Sequence, residues 1–149
     1  EAAAVSAKTR DITEYLSEIG GVAPARALPK LKLAYHSACS MQHGQRVIDP
    51  PRDLLRKAGF DLKEIPEGHL CCGSAGTYNL LQPELAGQLR ARKAANIDST
   101  GADLVATGNI GCAQQLQGAI RMPIVHTVEL LDWASGGPKP AELRALIEV

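Results

Sequence analysis

The stretch ADLVATGNIGC, residues 102–112, joins a short apolar run to a cysteine that follows a glycine-containing turn. A short apolar run closed by a turn is typical of a buried strand, so we predict a strand from Ala102 to Thr107. Similar runs predict further strands at Leu31 to Tyr35, Phe60 to Ile65 and Ile124 to His126.

Helical patterns separate these predicted strands. Asp49 precedes two prolines and resembles an N-cap, which predicts a helix that ends at Gly59. Further helices are expected from Pro83 to Gly101, after Cys112 as far as Gly118, at Val128 to Ala134 and at Pro140 to Val149. Alternating strands and helices imply βαβ units and a parallel sheet. We therefore predict an α/β fold, a single three-layer domain with a mainly parallel sheet of about four strands flanked by helices.

The first residues are predicted to lie outside this domain. Apolar residues from Val5 to Ile19 recur at helical spacing, and the following segment to Pro29 is rich in Ala and Pro. Residues 1–29 are thus expected to form a leading helix and a linker, and residues 30–149 a cysteine-rich α/β domain. Because the first residue is Glu1 rather than Met, we expect that the chain was cut from a longer protein.

Composition excludes several classes of function. The chain has 16 Lys and Arg against 16 Asp and Glu, so no basic field attracts nucleic acid. No apolar run approaches the roughly 20 residues of a bilayer span, so we expect no direct membrane insertion. Four cysteines are few for a disulfide scaffold in 149 residues, which favours reduced thiols and a cytoplasmic setting.

Each cysteine follows a predicted strand. The carboxyl ends of parallel strands share one edge of a sheet, where ligands bind, so we expect the thiols to meet there. Glycines beside them let backbone amides approach closely and form an anion-binding nest. Thiolates are the preferred ligands of iron–sulfur clusters and zinc. The predicted metal ligands are Cys39, Cys71, Cys72 and Cys112, and the glycines expected to shape the cofactor-binding nest are Gly73, Gly76 and Gly111.

Two other interpretations of the thiols stay open. Zinc needs only a small set of Cys and His ligands, and His36, His43 or His69 could complete it. A thiol enzyme would use Cys39 activated by His36 or His43. Otherwise His36 and His69 are expected to donate hydrogen bonds to thiols.

Three further expectations concern single residues. His126 is interpreted as a strand-end residue that the backbone satisfies. A helix N-terminus near Cys112 is expected to lower the pKa of its thiol. Arg90, Arg92 and Lys93 on the long helix are expected to form a solvated face or, alternatively, to contact a partner subunit.

Three segments carry a family resemblance: HLCCGSAGTYNLLQP at 69–83, TGNIGC at 107–112 and VHTVELLDW at 125–133. They resemble the iron–sulfur subunits of glycolate oxidases, whose C-terminal cysteine-rich (CCG) domain is shared with a cysteine-rich component of heterodisulfide reductases. The resemblance implies an electron-transfer domain without activity of its own. It would pass electrons from flavin-containing subunits, which oxidise glycolate to glyoxylate, towards a membrane acceptor.

The resemblance also implies partners, a location and a cofactor. The implied partners are the flavin-containing subunits and, within the same full-length subunit, the upstream ferredoxin-type and first CCG regions. The implied location is the cytoplasm, with these partners able to hold the domain peripherally at the inner membrane. The broader module ends in Cys-x-x-Cys, whereas Cys112 is followed by Ala113-Gln114-Gln115, and His36-Ser37-Ala38 stands where Asp-Pro is often found. Four thiolates remain, which suits a [4Fe-4S] cluster. The alternative is a zinc-binding or metal-free docking module for the flavin subunits.

Overall fold

A four-stranded parallel sheet forms the centre of the molecule. A computed structural model describes residues 1–146, and its strands lie in the order β2-β1-β3-β4, with each neighbouring pair parallel. The strands are β1 (Lys32–Tyr35), β2 (Asp61–Lys63), β3 (Leu104–Thr107) and β4 (Ile124–His126). The prediction of a single α/β domain with about four parallel strands is confirmed.

Helices cover both faces of this sheet. The α-helices are α1 (Ala2–Lys8), α2 (Ile12–Glu18), α3 (Asp49–Lys57), α4 (Tyr78–Leu81), α5 (Pro83–Asp98), α6 (Ile110–Leu116) and α7 (Thr127–Ala134); a π-helix spans Ser40–Gln45 and a 3₁₀ helix Ala141–Leu146. Within residues 1–146, every helix is too short or too polar to cross a membrane.

Side chains that alternate along the strands divide the core in two. Leu33 and Leu104 pack with α3 and α7 on one face, whereas Ala34 and Val105 pack with α5, α6 and the π-helix on the other. Strand periodicity of two explains this division, since successive side chains point to opposite faces. The second core also contains Cys72 and Cys112.

Several predicted boundaries differ from the structure. The leading helix is broken because Asp11 starts a new helix with a capping box, accepting from the backbone N–H of Thr13 while Glu14 bonds back to the N–H of Asp11. Asp49 is the first residue of α3 rather than its N-cap, which is Ile48. Of the predicted C-terminal helix, residues 141–146 form a 3₁₀ helix, and residues 147–149 lie outside the described residues.

Candidate metal centre

The four cysteines line one cavity of about 370 Å³. Cys39 follows β1 and immediately precedes the π-helix, Cys71 and Cys72 lie in the loop after β2, and Cys112 lies in the first turn of α6 after β3. All four are free thiols. The structure therefore brings together the four cysteines that the sequence singled out, at the carboxyl ends of neighbouring strands.

Gly73 lets the vicinal cysteine loop turn tightly against α5. Its φ is +90°, and an added Cβ would overlap the carbonyl oxygen of Ala86. The Gly73 N–H donates to Cys71 Sγ at 3.3 Å, and the Ser74 N–H donates to the Cys72 sulfur. Two successive amides thus point at two sulfurs, which is the arrangement expected of an anion nest.

The other two predicted glycines line the cavity directly. Gly76 adopts a φ of +65°, next to Ala75 at +38°, so the loop reverses over two left-handed residues. A Cβ on Gly111 would lie 3.1 Å from Asn109 Oδ1 and 3.2 Å from Ser74 Oγ. The absence of a side chain at Gly111 therefore allows the start of α6 to approach the vicinal cysteine loop.

Hydrogen bonds fix α6 in this position. Asn109 caps the helix, and its Oδ1 accepts from the backbone N–H of Cys112 at 3.0 Å. Gln115 stands where the broader module has its last cysteine, and its Oε1 accepts from Asn79 Nδ2 at 3.1 Å. The side chain at that position thus links α6 to α4 through a hydrogen bond.

Cys72 and Cys112 form a coupled pair of thiols. The Cys112 thiol donates to Cys72, and this bond, with further help from His36 and the Ser74 N–H, lowers the pKa of Cys72 to about 4 despite burial. The same bond, together with burial, raises the pKa of Cys112. The expectation that the helix N-terminus lowers the Cys112 pKa is therefore wrong, because donation to a neighbouring sulfur outweighs the helix dipole.

Cys39 does not have the properties of an activated nucleophile. Burial, followed by the nearby Cys71, raises the pKa of its thiol to about 11. His43, one of the two proposed activating bases, places its Nε2 3.4 Å from the carbonyl oxygen of the exposed His69. A thiol that stays protonated near neutral pH is a poor nucleophile, so this arrangement argues against a thiol enzyme that uses Cys39.

His36 stands beside the coupled pair. It is buried, and neither ring nitrogen has a hydrogen-bond partner in the described part of the chain. A ring nitrogen of His36 and the sulfurs of Cys72 and Cys112 all lie within 4.8 Å of one another. A buried imidazole without a partner is costly, so its position indicates a ligand or donor role towards a bound group.

The donor set extends beyond this triad. Within residues 1–146, Cys39 and Cys71 do not join the 4.8 Å group, although they line the same cavity. Sulfurs spread around a cavity suit a group with several metal ions, whereas a single zinc needs its ligands at one point. The four thiols and the two nest amides therefore fit an iron–sulfur cluster.

Lys93 belongs to this region, although the sequence predicted a solvated position for it. Its side chain is 0% exposed, and Nζ donates to the Glu67 carbonyl oxygen at 3.0 Å. Lys93 lies seven residues after the buried Ala86 and four before the buried Ile97. That helical spacing was the available signal, and the charge of the side chain obscured it.

Of the remaining predicted residues, Arg92 and His126 are exposed, whereas Arg90 is half-buried. Arg92 forms an ion pair with Glu67, and Arg90 donates to the Gln117 carbonyl oxygen at 2.8 Å. His126 ends β4, and its Nδ1 accepts from the Val128 N–H at 3.3 Å. The expectation that the backbone satisfies His126 is therefore confirmed.

Comparisons with known proteins agree on one family. The family model described as "Cysteine-rich domain" (CCG) matches residues 33–117. The chain is 37% identical over 133 residues to the "Glycolate oxidase iron-sulfur subunit" of Escherichia coli (strain K12), covering 85% of this chain and 33% of that protein. It is 30% identical over 131 residues to "Lactate utilization protein A" of Oceanobacillus iheyensis, covering 84% of this chain and 54% of that protein. The protein of the same name from Shouchella clausii is 30% identical over 134 residues, covering 86% of this chain and 56% of that protein.

The comparisons cover most of this chain but only part of each relative. The chain spans about a third of the Escherichia coli protein and about half of the other two. The family match includes the segment that carries all four cysteines.

Proposed function

Because the chain belongs to the CCG cysteine-rich domain family, we propose that it is an iron–sulfur electron-transfer domain. The single observation that supports this most strongly is the convergence of four free thiols on one cavity. Cys39, Cys71, Cys72 and Cys112 would hold a [4Fe-4S] cluster, which supplies a one-electron carrier when bound.

The surrounding residues have separate roles in this proposal. The Gly73 and Ser74 amides donate to the sulfurs of Cys71 and Cys72 and offset their negative charge. His36, whose buried ring nitrogens have no hydrogen-bond partner among the described residues, would donate to the bound cluster or its thiolates. These donors orient the thiolates and favour their deprotonated form.

The complex to which the domain belongs is proposed from its relatives. One relative is named for glycolate oxidase and two for lactate utilization, and both substrates are 2-hydroxy acids. We place the chain in a glycolate oxidase complex, where it receives electrons from flavin-containing subunits and passes them towards a membrane acceptor. Its reduced thiols suit the cytoplasm, and the partners would bring it to the inner membrane.

An apolar surface beside the site supports docking to a partner. Leu80, Leu81 and Ile110 are 77%, 73% and 72% exposed, and Leu85 is half exposed. These residues flank the loops that line the cysteine cavity. Exposed leucines around a redox site favour a partner that covers them, because apolar patches mark interaction surfaces.

The first test counts metal on one sample. After anaerobic reconstitution, iron, acid-labile sulfide and zinc are measured on the same protein, with visible absorption and a paramagnetic signal on reduction. We expect about four irons and four sulfides per chain. One zinc without sulfide would refute the cluster.

Zinc is the second candidate because His36, Cys72 and Cys112 lie within 4.8 Å of one another. Here the domain would be a docking module held together by zinc. The candidates predict opposite effects of two variants. If the site holds a cluster, Cys39→Ser should abolish cluster binding and His36→Ala should leave most of it. If the site holds zinc, Cys39→Ser should leave zinc bound and His36→Ala should abolish zinc binding. Ser40→Ala, also at the cavity, is the matched control and should change neither.

A further inference from the structure

Lys93 is a fully buried cation in α5. Its Nζ donates to the carbonyl oxygens of Glu67 at 3.0 Å and Gly68 at 3.4 Å. These carbonyls belong to the turn that leads into Cys71. Carbonyl oxygens satisfy hydrogen-bond donors but do not neutralise a charge, so the cation needs an anionic neighbour.

No carboxylate in residues 1–146 lies within salt-bridge distance of Lys93 Nζ. The nearest candidate, the Glu67 carboxylate, is engaged by Arg92 and by Asn96 Nδ2, the latter at 3.0 Å. Only the backbone of Glu67 contacts Lys93. The Glu67 carboxylate is thus shared with Arg92 and Asn96 and compensates Lys93 only from a distance, so a further anionic group would stabilise the ammonium.

The cysteine site supplies that charge. The turn at 67–68 that Lys93 Nζ contacts leads directly into the vicinal cysteines Cys71 and Cys72. Burial lowers the pKa of Lys93, and the negative charges of Cys39, Cys72, Glu67 and Cys71 oppose that effect. Lys93 thus lies buried between α5 and the turn that precedes the vicinal cysteines.

We propose that Lys93 is a positioning residue whose buried ammonium compensates the negative charge of the cysteine-bound cluster and raises its reduction potential. This inference rests on the proposed function. The ammonium stabilises the unit of negative charge that a one-electron reduction adds at the thiolate site, without breaking or forming a bond. Its hydrogen bonds to the turn at 67–68 keep that charge at a fixed distance.

The test is a redox titration of the reconstituted chain, followed by the paramagnetic signal. Lys93→Met removes the charge, Lys93→Gln removes it but keeps a donor for the carbonyls, and Lys93→Arg keeps the charge. Lys57→Met removes an exposed lysine and serves as the matched control. We expect both neutral variants to have a lower potential, by at least the 59 mV that corresponds to a tenfold change in the ratio of reduced to oxidised protein. The potentials of Lys93→Arg and Lys57→Met should stay close to that of the wild type.

Neutral variants that keep the cluster and the wild-type potential would overturn the inference. If both neutral variants lose the cluster, Lys93→Arg decides: a retained cluster supports the role of charge, and a lost cluster shows that shape alone mattered. A wild-type chain that takes up no iron and sulfide would instead refute the proposed function, which the same samples reveal before any potential is measured.

Discussion

Gly73 is the residue on which the vicinal cysteine loop depends most directly, because its missing Cβ leaves room for the Ala86 carbonyl of α5. Gly73→Ala should lower the free energy of unfolding by about 2 to 4 kcal/mol, through the left-handed φ and the steric overlap. Urea unfolding of the metal-free chain measures this loss. Gly87→Ala on the same helix has open space around its Cβ and should be neutral or stabilising by up to about 1 kcal/mol. Equal effects of the two changes would contradict the proposed packing role.

The coupled thiols make the stability of the metal-free chain depend on pH. The folded Cys72 pKa of about 4 lies below the ordinary value of 9.0, so between these values the unfolded thiol binds a proton that the folded one does not. The ionised Cys72 thus contributes to the free energy of unfolding; this contribution is complete above pH 9.0 and disappears as the pH falls through about 4.

Cys72→Ser tests this dependence. The difference in urea midpoint between the wild type and this variant, measured in reductant, should grow from about pH 5 to about pH 8. For Cys39→Ser no such growth is expected. The Cys39 pKa is raised to about 11, so ionisation of Cys39 changes the free energy of unfolding only above pH 9.0. A Cys72→Ser difference that is constant with pH would contradict the coupling.

At the scale of elements, the turn before the vicinal cysteines is fastened to α5 through Glu67. Its carboxylate accepts from Arg92 and Asn96, which lowers the pKa of Glu67 to about 2 from 4.5. The stabilisation is present above pH 4.5 and is lost as the pH falls through about 2.

Glu67→Gln should therefore be less stable than the wild type near neutral pH, and the difference should disappear in strong acid. Thermal unfolding followed by circular dichroism at several pH values measures the difference. Glu64→Gln removes the same charge from a nearby exposed position and controls for net charge. A difference that persists at the lowest pH would point to a cause other than ionisation.

Elements were predictable where local sequence dominates. β4 and the start of α5 at Pro83 match their predicted positions, because apolar runs and helix-starting prolines act locally. The break between α1 and α2 was missed, since the capping box at Asp11 competes with continuous helical spacing. The π-helix after Cys39 was missed as well, because its irregular bonding leaves no period in the sequence.

The candidate site was predictable in membership but not in electrostatics. Topology alone places residues that follow parallel strands at one edge, so the cysteines could be grouped without contacts. The direction of each thiol pKa depends on which sulfur donates to which, and that is set by packing. Burial of Lys93 likewise depends on how α5 lies on the sheet.

At the scale of the whole molecule, the exposed leucines beside the cavity are the proposed contact with the flavin subunits. Leu80→Asp with Leu81→Asp should weaken that association more than tenfold, because the contact would then bury two unpaired carboxylates. Iron and sulfide content should stay at the wild-type level. Val5→Asp with Ile19→Asp places the same charges on exposed apolar positions in the first two-helix segment and should not weaken binding. Equal weakening by both pairs would contradict a specific docking surface.

The strand order β2-β1-β3-β4 also has a consequence for biosynthesis. A nascent chain emerging from the ribosome exposes Cys39 first, then the vicinal pair, and only much later Cys112. All the thiols become neighbours only after three strands have paired, so a half-made polypeptide offers iron an incomplete set of sulfurs. A complete set of sulfurs would therefore become available only after Cys112 has emerged and β3 has paired with β1, and misfolded copies would lack it.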